Sequence, residues 1–171
     1  MRTVFICVLC LMSCGIISAQ DNLHNKIEYQ GEFVLSGCAV VQKATQGYAT
    51  SLETTHGILY NKVAFCGLGT GVLCSFTNAE VSLPVYAEGR YYFSDANCKP
   101  FIDLKMGGVF CLERQDNAFL VASSVGFSIR SLLMKFGYQY NAGVSTEWNG
   151  KMYSNYNYDL NSLYLSVGFS F

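Results

Sequence analysis

The feature that most constrains the fold is a two-residue alternation of large apolar side chains with small or polar ones. It is clearest at the end of the chain, in NSLYLSVGFSF from Asn161 to Phe171. Alternate residues of an extended chain point to opposite faces, so this segment predicts a β-strand with two unlike faces. The apolar face carries Leu163, Leu165, Val167, Phe169 and Phe171.

The same alternation recurs along the chain, in segments of roughly ten to fourteen residues separated by turn-forming residues. Beyond Gln20 there is neither a helical periodicity nor a uniformly apolar stretch of the length that a transmembrane helix needs. We therefore predict eight strands, at residues 27–41, 50–60, 63–76, 81–93, 100–112, 118–130, 132–142 and 158–171.

The predicted connections alternate between short turns and longer loops. The short ones follow the second, fourth and sixth strands, at Asn61-Lys62, Ser94 to Lys99 and Arg130-Ser131. The longer ones are QKATQGYA, the region around TNAE, ERQDN and GVSTEWNGKMYSNYN. Short turns at one rim and longer loops at the other are typical of bacterial outer-membrane barrels, whose short turns face the periplasm. Both termini would then lie at the periplasmic rim.

Antiparallel pairing about residues 95–98 places Arg90 opposite Asp103 and Glu88 opposite Lys105. Two pairs of opposite charges then share one face of the sheet. The other face is apolar, with the pairs Tyr91–Ile102, Gly89–Leu104, Ala87–Met106 and Leu83–Phe110.

Pairing about Arg130-Ser131 repeats this division between two faces. One face has the pairs Ile129–Leu132, Phe127–Met134, Val125–Phe136 and Val121–Tyr140, and the other has Gly126–Lys135, Ser124–Gly137 and Ala122–Gln139. The register of strands two and three stays open, because the turn at Asn61-Lys62 has two or three residues and its length decides where Glu53 points.

The charged residues share their face with glycine, serine and alanine, which suits the narrow interior of an eight-stranded barrel. A soluble barrel of the lipocalin type has the opposite arrangement, with large apolar side chains inside. Charged residues make up only 13% of the chain, whereas about a quarter is typical of soluble domains. We predict an all-β fold, an eight-stranded antiparallel up-and-down transmembrane β-barrel. The alternative is a secreted soluble β-sandwich or barrel, which the modest mean hydropathy of +0.23 favours.

The first residues, MRTVFICVLCLMSCGIISAQ, predict a secretory signal peptide at 1–19, cleaved after Ala19, and a barrel domain at 20–171. The segment is too short and too closely followed by polar residues to be a lasting transmembrane helix. An alternative cleavage leaves Cys14 as a lipidated first residue, since Leu11 to Cys14 is similar to a lipoprotein box.

Metal, cofactor and nucleic-acid functions find little support in the sequence. The five cysteines beyond the leader are odd in number and lack C-x-x-C spacing, so we interpret Cys38, Cys66, Cys74, Cys98 and Cys111 as small apolar strand residues. His24 and His56 are not placed to form a metal site. The net charge of −1 provides no basic surface for nucleic acid, and we expect no cofactor.

The chain resembles the small outer-membrane β-barrel proteins, of the OmpA/OmpX-like and porin-like kind, over nearly all of the sequence after the leader. The resemblance rests on the final strand ending in an aromatic residue and, more weakly, on GLGTGV from Gly67 to Val72. It implies location in the outer membrane of a diderm bacterium, contact with outer-membrane lipid, and a monomer. It also implies that Leu163, Leu165, Val167, Phe169 and Phe171 form the signal read by the barrel assembly machinery.

The function that we predict is structural or surface-interactive and non-enzymatic, with a porin-like conduit for small solutes as the alternative. We interpret Glu88, Arg90, Asp103 and Lys105 as a charge network that fills the interior, against a catalytic or ion-conducting cluster. The loop from Glu147 to Tyr158 either binds a surface ligand or contributes to the interfacial aromatic girdle. Some small barrels modify lipid A with a histidine, a serine and a carboxylate on the outer rim, whereas His56 is predicted near the opposite rim.

Overall fold

The computed structural model describes residues 27–41, 47–77, 79–94, 97–112, 117–148 and 153–171. These residues form one closed barrel in which each strand pairs antiparallel with its neighbours in the chain and the last strand pairs with the first. The strands are β1 Ile27–Val40, β2 Tyr48–Tyr60, β3 Ala64–Ser75, β4 Glu80–Tyr92, β5 Cys98–Cys111, β6 Asn117–Ile129, β7 Leu132–Trp148 and β8 Tyr153–Ser170. The predicted fold class is confirmed.

Closure satisfies the backbone of every strand, because β8 pairs with β1 over nine residue pairs from Glu32–Ser170 to Val40–Ser162. The C-terminal residue extends this seam, since the amide N–H groups of Gly31 and Phe171 each donate to the other's carbonyl oxygen at 2.9 Å. Within the described part of the chain, no helix is long and apolar enough to cross a membrane.

The first six strands lie within two residues of their predicted bounds, while β7 and β8 are longer than predicted. The prediction of a long loop from Gly143 to Asn157 was wrong, because most of this segment continues the two strands through the pairs Val144–Asn157 to Trp148–Tyr153. Its glycine, serine and asparagine residues indicated a loop, whereas Val144, Thr146 and Trp148 alternate as strand residues do. The signal peptide, the Cys14 alternative and His24 lie outside the described residues.

The register predicted for β4–β5 and for β6–β7 is the observed one, with Arg90 opposite Asp103 and Gly126 opposite Lys135. The open register of β2 and β3 has a three-residue turn, because Tyr60 pairs with Ala64. Glu53 consequently shares the inward face of β2 with Ser51 and Thr55.

The two ends of the barrel differ in their connections. We call the end with the connections 61–63, 93–97 and 130–131 the short-turn rim, and Phe171 lies at this rim. We call the opposite end the long-loop rim. Asn61, Lys62 and Arg130 have φ of 52°, 59° and 55°, a left-handed conformation that tight hairpins require. These turns hold adjacent strands in a fixed register.

The barrel is apolar outside and polar inside. Large outward side chains are exposed along every strand, among them Leu35, Leu52, Leu68, Val85, Leu104, Phe119, Phe136 and Leu165. The buried inward residues include Glu32, Glu88, Arg90, Asp103, Lys105 and Lys135. This arrangement places apolar side chains against lipid and polar ones in the interior, as a transmembrane barrel requires.

Inward glycines make room for the large interior side chains. A Cβ atom on Gly69 would lie 2.4 Å from the Tyr86 ring, and one on Gly67 would lie 2.7 Å from the Phe65 ring. Both glycines belong to GLGTGV, so this stretch clears space for the rings that cross the interior.

Candidate functional site in the barrel interior

The interior nearest the short-turn rim is filled by an aromatic layer, made of Phe65, Tyr92, Phe101 and Leu133. Each of these side chains is at most 4% exposed, and the Tyr92 and Phe101 rings meet edge to face with centroids 5.5 Å apart. They come from β3, β4, β5 and β7, close to the ends of these strands at the short-turn rim. The layer closes this end of the interior with apolar groups.

Arg90 lies directly above the aromatic layer, and its guanidinium is 4.6 Å from the Phe101 ring centroid and 5.3 Å from that of Phe65. The guanidinium donates to both carboxylate oxygens of Glu32, with Nη2 to Oε2 at 2.8 Å. It also donates to Glu88 and, at 2.9 Å, to the Tyr92 hydroxyl. A planar fork that bonds a carboxylate at two points and stacks on rings is an arrangement that lysine does not provide.

Lys135 reaches the same carboxylates from β7. Its Nζ donates to Glu88 Oε1 at 2.8 Å and lies 2.9 Å from Asp103 Oδ2 and 3.8 Å from Glu32 Oε2. Arg90 and Asp103, which are register partners, form a longer contact of 3.7 Å between Nη2 and Oδ2. Two cations from β4 and β7 therefore share three carboxylates from β1, β4 and β5.

Neutral donors complete the shell of the three carboxylates. Gln30 Nε2 donates to Glu32 at 2.7 Å, Thr55 Oγ1 donates to Glu88 at 3.1 Å, and the Ser124 hydroxyl donates to Asp103. Buried charges are tolerated only when they are paired and hydrogen-bonded. These neutral donors give the three carboxylates hydrogen bonds in addition to those from Arg90 and Lys135.

A second ion pair lies one level closer to the long-loop rim. Lys105 Nζ donates to Glu53 Oε2 at 2.5 Å and stands 4.5 Å from the centroid of the Tyr86 ring. The Tyr86 hydroxyl donates to Glu53 Oε2 at 2.8 Å, and Ser51 Oγ donates to Glu53 Oε1 at 2.7 Å. Tyr86 also packs with Leu120, Ala122 and Tyr164 in a second apolar cluster.

The interior network, which we define as Glu32, Glu53, Glu88, Arg90, Asp103, Lys105 and Lys135, connects distant parts of the wall. With Thr55 and Ser124 its hydrogen bonds and ion pairs reach six strands, β1, β2, β4, β5, β6 and β7. The side chains of Glu32, Glu88, Arg90 and Asp103 are 0% exposed. Chemically, the arrangement fixes charges in place away from solvent, and among the described residues no group of His, Cys, Asp and Glu is placed to hold a metal ion.

The structure brings the predicted residues Glu88, Arg90, Asp103 and Lys105 to the interior, but their main partners are not the register neighbours. Arg90 binds Glu32 across the barrel, and Lys105 binds Glu53. Glu32 was missed, although its alternation with Tyr29, Phe33 and Leu35 marks it as inward.

The histidine of β2 belongs to a different environment, on the outer wall near the short-turn rim. His56 Nδ1 lies 2.5 Å from the Tyr29 hydroxyl, and its Nε2 lies 3.0 Å from Thr54 Oγ1. The imidazole also meets the Phe171 ring edge-on, with centroids 6.4 Å apart. Both ring nitrogens thus have hydroxyl partners, in a lipid-facing aromatic cluster.

The five residues of the predicted assembly signal all face outward, four on β8 and Phe171 directly after it. Leu163, Leu165, Val167, Phe169 and Phe171 have exposed fractions between 39% and 58%. The Phe171 ring stacks on Phe33 with centroids 5.6 Å apart and covers Gly31, on which a Cβ would lie 2.6 Å from the ring. Their reading by the assembly machinery stays a prediction.

The five cysteines that we interpreted as small apolar strand residues all lie in strands and are divided between the two faces. Cys66, Cys74 and Cys98 alternate with inward residues and so face outward, while Cys38 and Cys111 face inward; all five are unpaired thiols.

Comparison with known proteins finds similarity at the level of structure. No protein-family model matches the chain, and no curated protein sequence matches it. The outer membrane enzyme PagL is 14% identical, with a TM-score of 0.57 over 80% of this chain and 97% of that chain. Neisserial surface protein A is 13% identical, with a TM-score of 0.56 over 85% and 98%. The outer membrane protein AlkL, solved in lipid bilayers, is 11% identical, with a TM-score of 0.55 over 91% and 95%.

These similarities establish the fold, which is that of small eight-stranded outer-membrane β-barrels. At such low identity one fold serves proteins with different activities, so function has to be argued from the chain's own residues.

Proposed function

We propose that the chain is an integral outer-membrane barrel of a diderm bacterium, with a structural or surface-interaction role and no enzymatic activity. The short-turn rim then faces the periplasm and the long-loop rim faces the cell exterior, as in other bacterial barrels. A signal peptide at residues 1–19 would direct the chain to the envelope.

The observation that carries this proposal is the filled interior. The aromatic layer, the interior network and the cluster around Tyr86 are stacked along the barrel, and the central side chains are fully buried. An eight-stranded wall encloses room for side chains and little else. This favours a structural interior over a porin-like conduit.

A surface role is supported by the hairpin of β7 and β8, which continues beyond its neighbours at the long-loop rim. At this rim the last pair between β6 and β7 is Asn117–Val144, and the last pair between β1 and β8 is Val40–Ser162. β7 and β8 stay paired with each other beyond these points, as far as Trp148–Tyr153. At ~3.3 Å per residue, the hairpin extends roughly 13 Å past β6. Its sequence is rich in tyrosine and asparagine, residues common in protein-binding surfaces.

The absence of enzymatic activity is proposed from the surroundings of His56. Its ring nitrogens meet the hydroxyls of Tyr29 and Thr54, and Thr54 is only 5% exposed. A nucleophile has to reach its substrate, and a hydroxyl this buried is poorly placed for attack.

A conductance measurement distinguishes the structural role from the conduit. Purified barrel inserted in a planar bilayer is expected to give no discrete conductance steps in molar salt. Steps that disappear when Arg90 or Lys105 is substituted would assign the interior network to an ion pathway and contradict the proposal.

Two further assays test location and activity. Trypsin added to intact cells should cut without lysis at Lys151, which lies between β7 and β8 in the sequence, and cleavage only after lysis would place the long-loop rim inside the cell. Purified barrel incubated with phospholipid or lipid A should release no fatty acid, and release that H56A abolishes would show an enzyme.

A further inference from the structure

The outer wall carries a groove of about 220 Å³ that crosses β5, β6, β7 and β8. It is lined mainly by outward side chains, among them the small side chain of Ser123. The wall residues are Ile102, Val125, Phe136, Tyr138 and Leu163, all of them 39% to 58% exposed. None of the eight lining residues, which also include Ser124 and Gly137, carries a charge.

The register explains why the groove lies here. Ile102, Val125 and Phe136 are successive partners across three strands, and they form one outward row. The next row runs Leu104, Ser123, Tyr138 and Leu163. Ser123 is the one small side chain of this row, so a gap opens between Leu104 and Tyr138.

The depth of the groove places it against hydrocarbon. Ser123 is six residues and Val125 four residues from Ile129, the end of β6 at the short-turn rim. At ~3.3 Å per residue and a strand tilt of about 40°, they lie roughly 15 Å and 10 Å above that rim. The apolar band of such barrels is about 25 Å tall, so the groove lies close to mid-height, at the depth where acyl chains that start from the short-turn rim end.

We propose that this groove binds one acyl chain of a phospholipid from the leaflet at the short-turn rim. At about 30 Å³ for a water-sized group, it accommodates roughly seven methylene groups. A groove left without a partner forfeits the dispersion contacts of its lining, and a flexible chain restores them.

Charge below the groove favours a phospholipid as the source of the chain. Arg130 is exposed at the short-turn rim, in the turn that joins β6 to β7, two of the strands that the groove crosses. A chain that enters the groove from this rim brings its phosphate to the level of the Arg130 guanidinium, which binds phosphate well. The Tyr138 hydroxyl already donates to Asn161 Oδ1, so it is not left unpaired against the chain.

The direct test measures the lipid that stays bound after extraction. Barrel is reconstituted in vesicles of phosphatidylethanolamine and phosphatidylglycerol, extracted into mild detergent and examined by native mass spectrometry. S123F fills the groove, and T70F is the matched control, because Thr70 faces outward on β3, six residues from the short-turn end at Ala64.

Wild type and T70F are expected to retain one phospholipid, and S123F is expected to retain about tenfold less, equivalent to ~1.4 kcal/mol. R130Q should retain an intermediate amount. The proposal would be overturned if S123F retained as much lipid as wild type, if T70F lost as much lipid as S123F, or if only R130Q lost lipid. A second copy of the barrel bound in place of lipid would also overturn it.

A fluorescence measurement keeps the proposal testable if S123F fails to fold. Two variants, F136W and L68W, each carry a single tryptophan because W148F removes the natural one. Both reporters lie four residues from the short-turn end of their strands. F136W places the reporter in the groove, whereas L68W places it at a protruding position, where the native leucine is 72% exposed. The barrel is reconstituted with phospholipid whose acyl chains carry bromine, which quenches tryptophan fluorescence, and detergent is then added stepwise to dilute that lipid. The fluorescence of F136W should stay quenched up to a detergent-to-lipid ratio about tenfold higher than that of L68W. Loss of quenching at the same detergent ratio would contradict a bound chain.

Discussion

Replacing Arg90 by methionine should be among the most destabilising single changes in this barrel. The change removes a guanidinium that donates to Glu32, Glu88 and Tyr92 and that stacks on Phe101. Methionine keeps much of the apolar volume, so the loss comes mainly from carboxylates left buried beside too few cations. Breaking a buried pair by removing one partner costs about 3–5 kcal/mol.

The structure places the expected loss within this range and not above it. Glu88 keeps Lys135 at 2.8 Å, and Glu32 keeps Gln30 at 2.7 Å, so neither carboxylate loses every partner. Adding Glu32→Gln removes one of the stranded charges, and the double variant should recover about 2 kcal/mol of the loss. An energetic coupling of this sign is expected only if Arg90 and Glu32 meet across the interior.

The assay is equilibrium unfolding by denaturant in lipid vesicles, followed by the heat-modifiable gel shift and by fluorescence. K62M is the control, because Lys62 is an exposed cation in a turn, and it should change stability by less than about 0.5 kcal/mol. A loss below about 1 kcal/mol for R90M, or additive losses for R90M and E32Q, would refute the account of the interior.

Three further predictions concern the wall, the turns and the end of the chain. G57A should destabilise by about 1–3 kcal/mol, because a Cβ on Gly57 would lie 2.2 Å from the Cys66 carbonyl oxygen, while G89A has open space and should be neutral; equal effects on denaturant midpoints would contradict this. K62G should stabilise by about 0.5 kcal/mol because Lys62 has a φ of 59°, and a loss of stability would refute strain in that turn. Deletion of Phe171 should lower the amount of barrel in the outer membrane much more than it lowers the stability of refolded barrel. V167R should lower both quantities, and the stability by about 2 kcal/mol. Unchanged assembly after the deletion would make Phe171 an ordinary strand end.

Local pattern was enough to predict the strands and two of the registers. The turns at 93–97 and 130–131 are short, so each leaves few possible registers between the two strands that it joins. The alternation of apolar and polar residues in those strands then selects the one register that keeps Arg90 and Lys135 off the lipid face. Glu53 could not be placed, because one residue more or less in the 61–63 turn reverses the face to which it points.

Contacts across the interior were beyond what the pattern could provide. Arg90 on β4 meets Glu32 on β1 only because the sheet closes, and long side chains then reach across the barrel instead of to the next strand. The β7–β8 hairpin was missed for another reason. Its glycines, serines and asparagines favour loops, and pairing between two long neighbouring strands outweighs that preference.

The central claim is that the large alternate side chains face lipid and the small and polar ones face a filled interior. A spin label scanned along β8 from Ser162 to Phe169, in a variant without cysteines and reconstituted in vesicles, tests it directly. Labels at 163, 165, 167 and 169 should collide with oxygen dissolved in the bilayer, and labels at 162, 164, 166 and 168 should be shielded from oxygen and from a water-soluble nickel chelate. The opposite phase, or outward labels that meet the nickel chelate, would show a barrel exposed to water and would contradict the account.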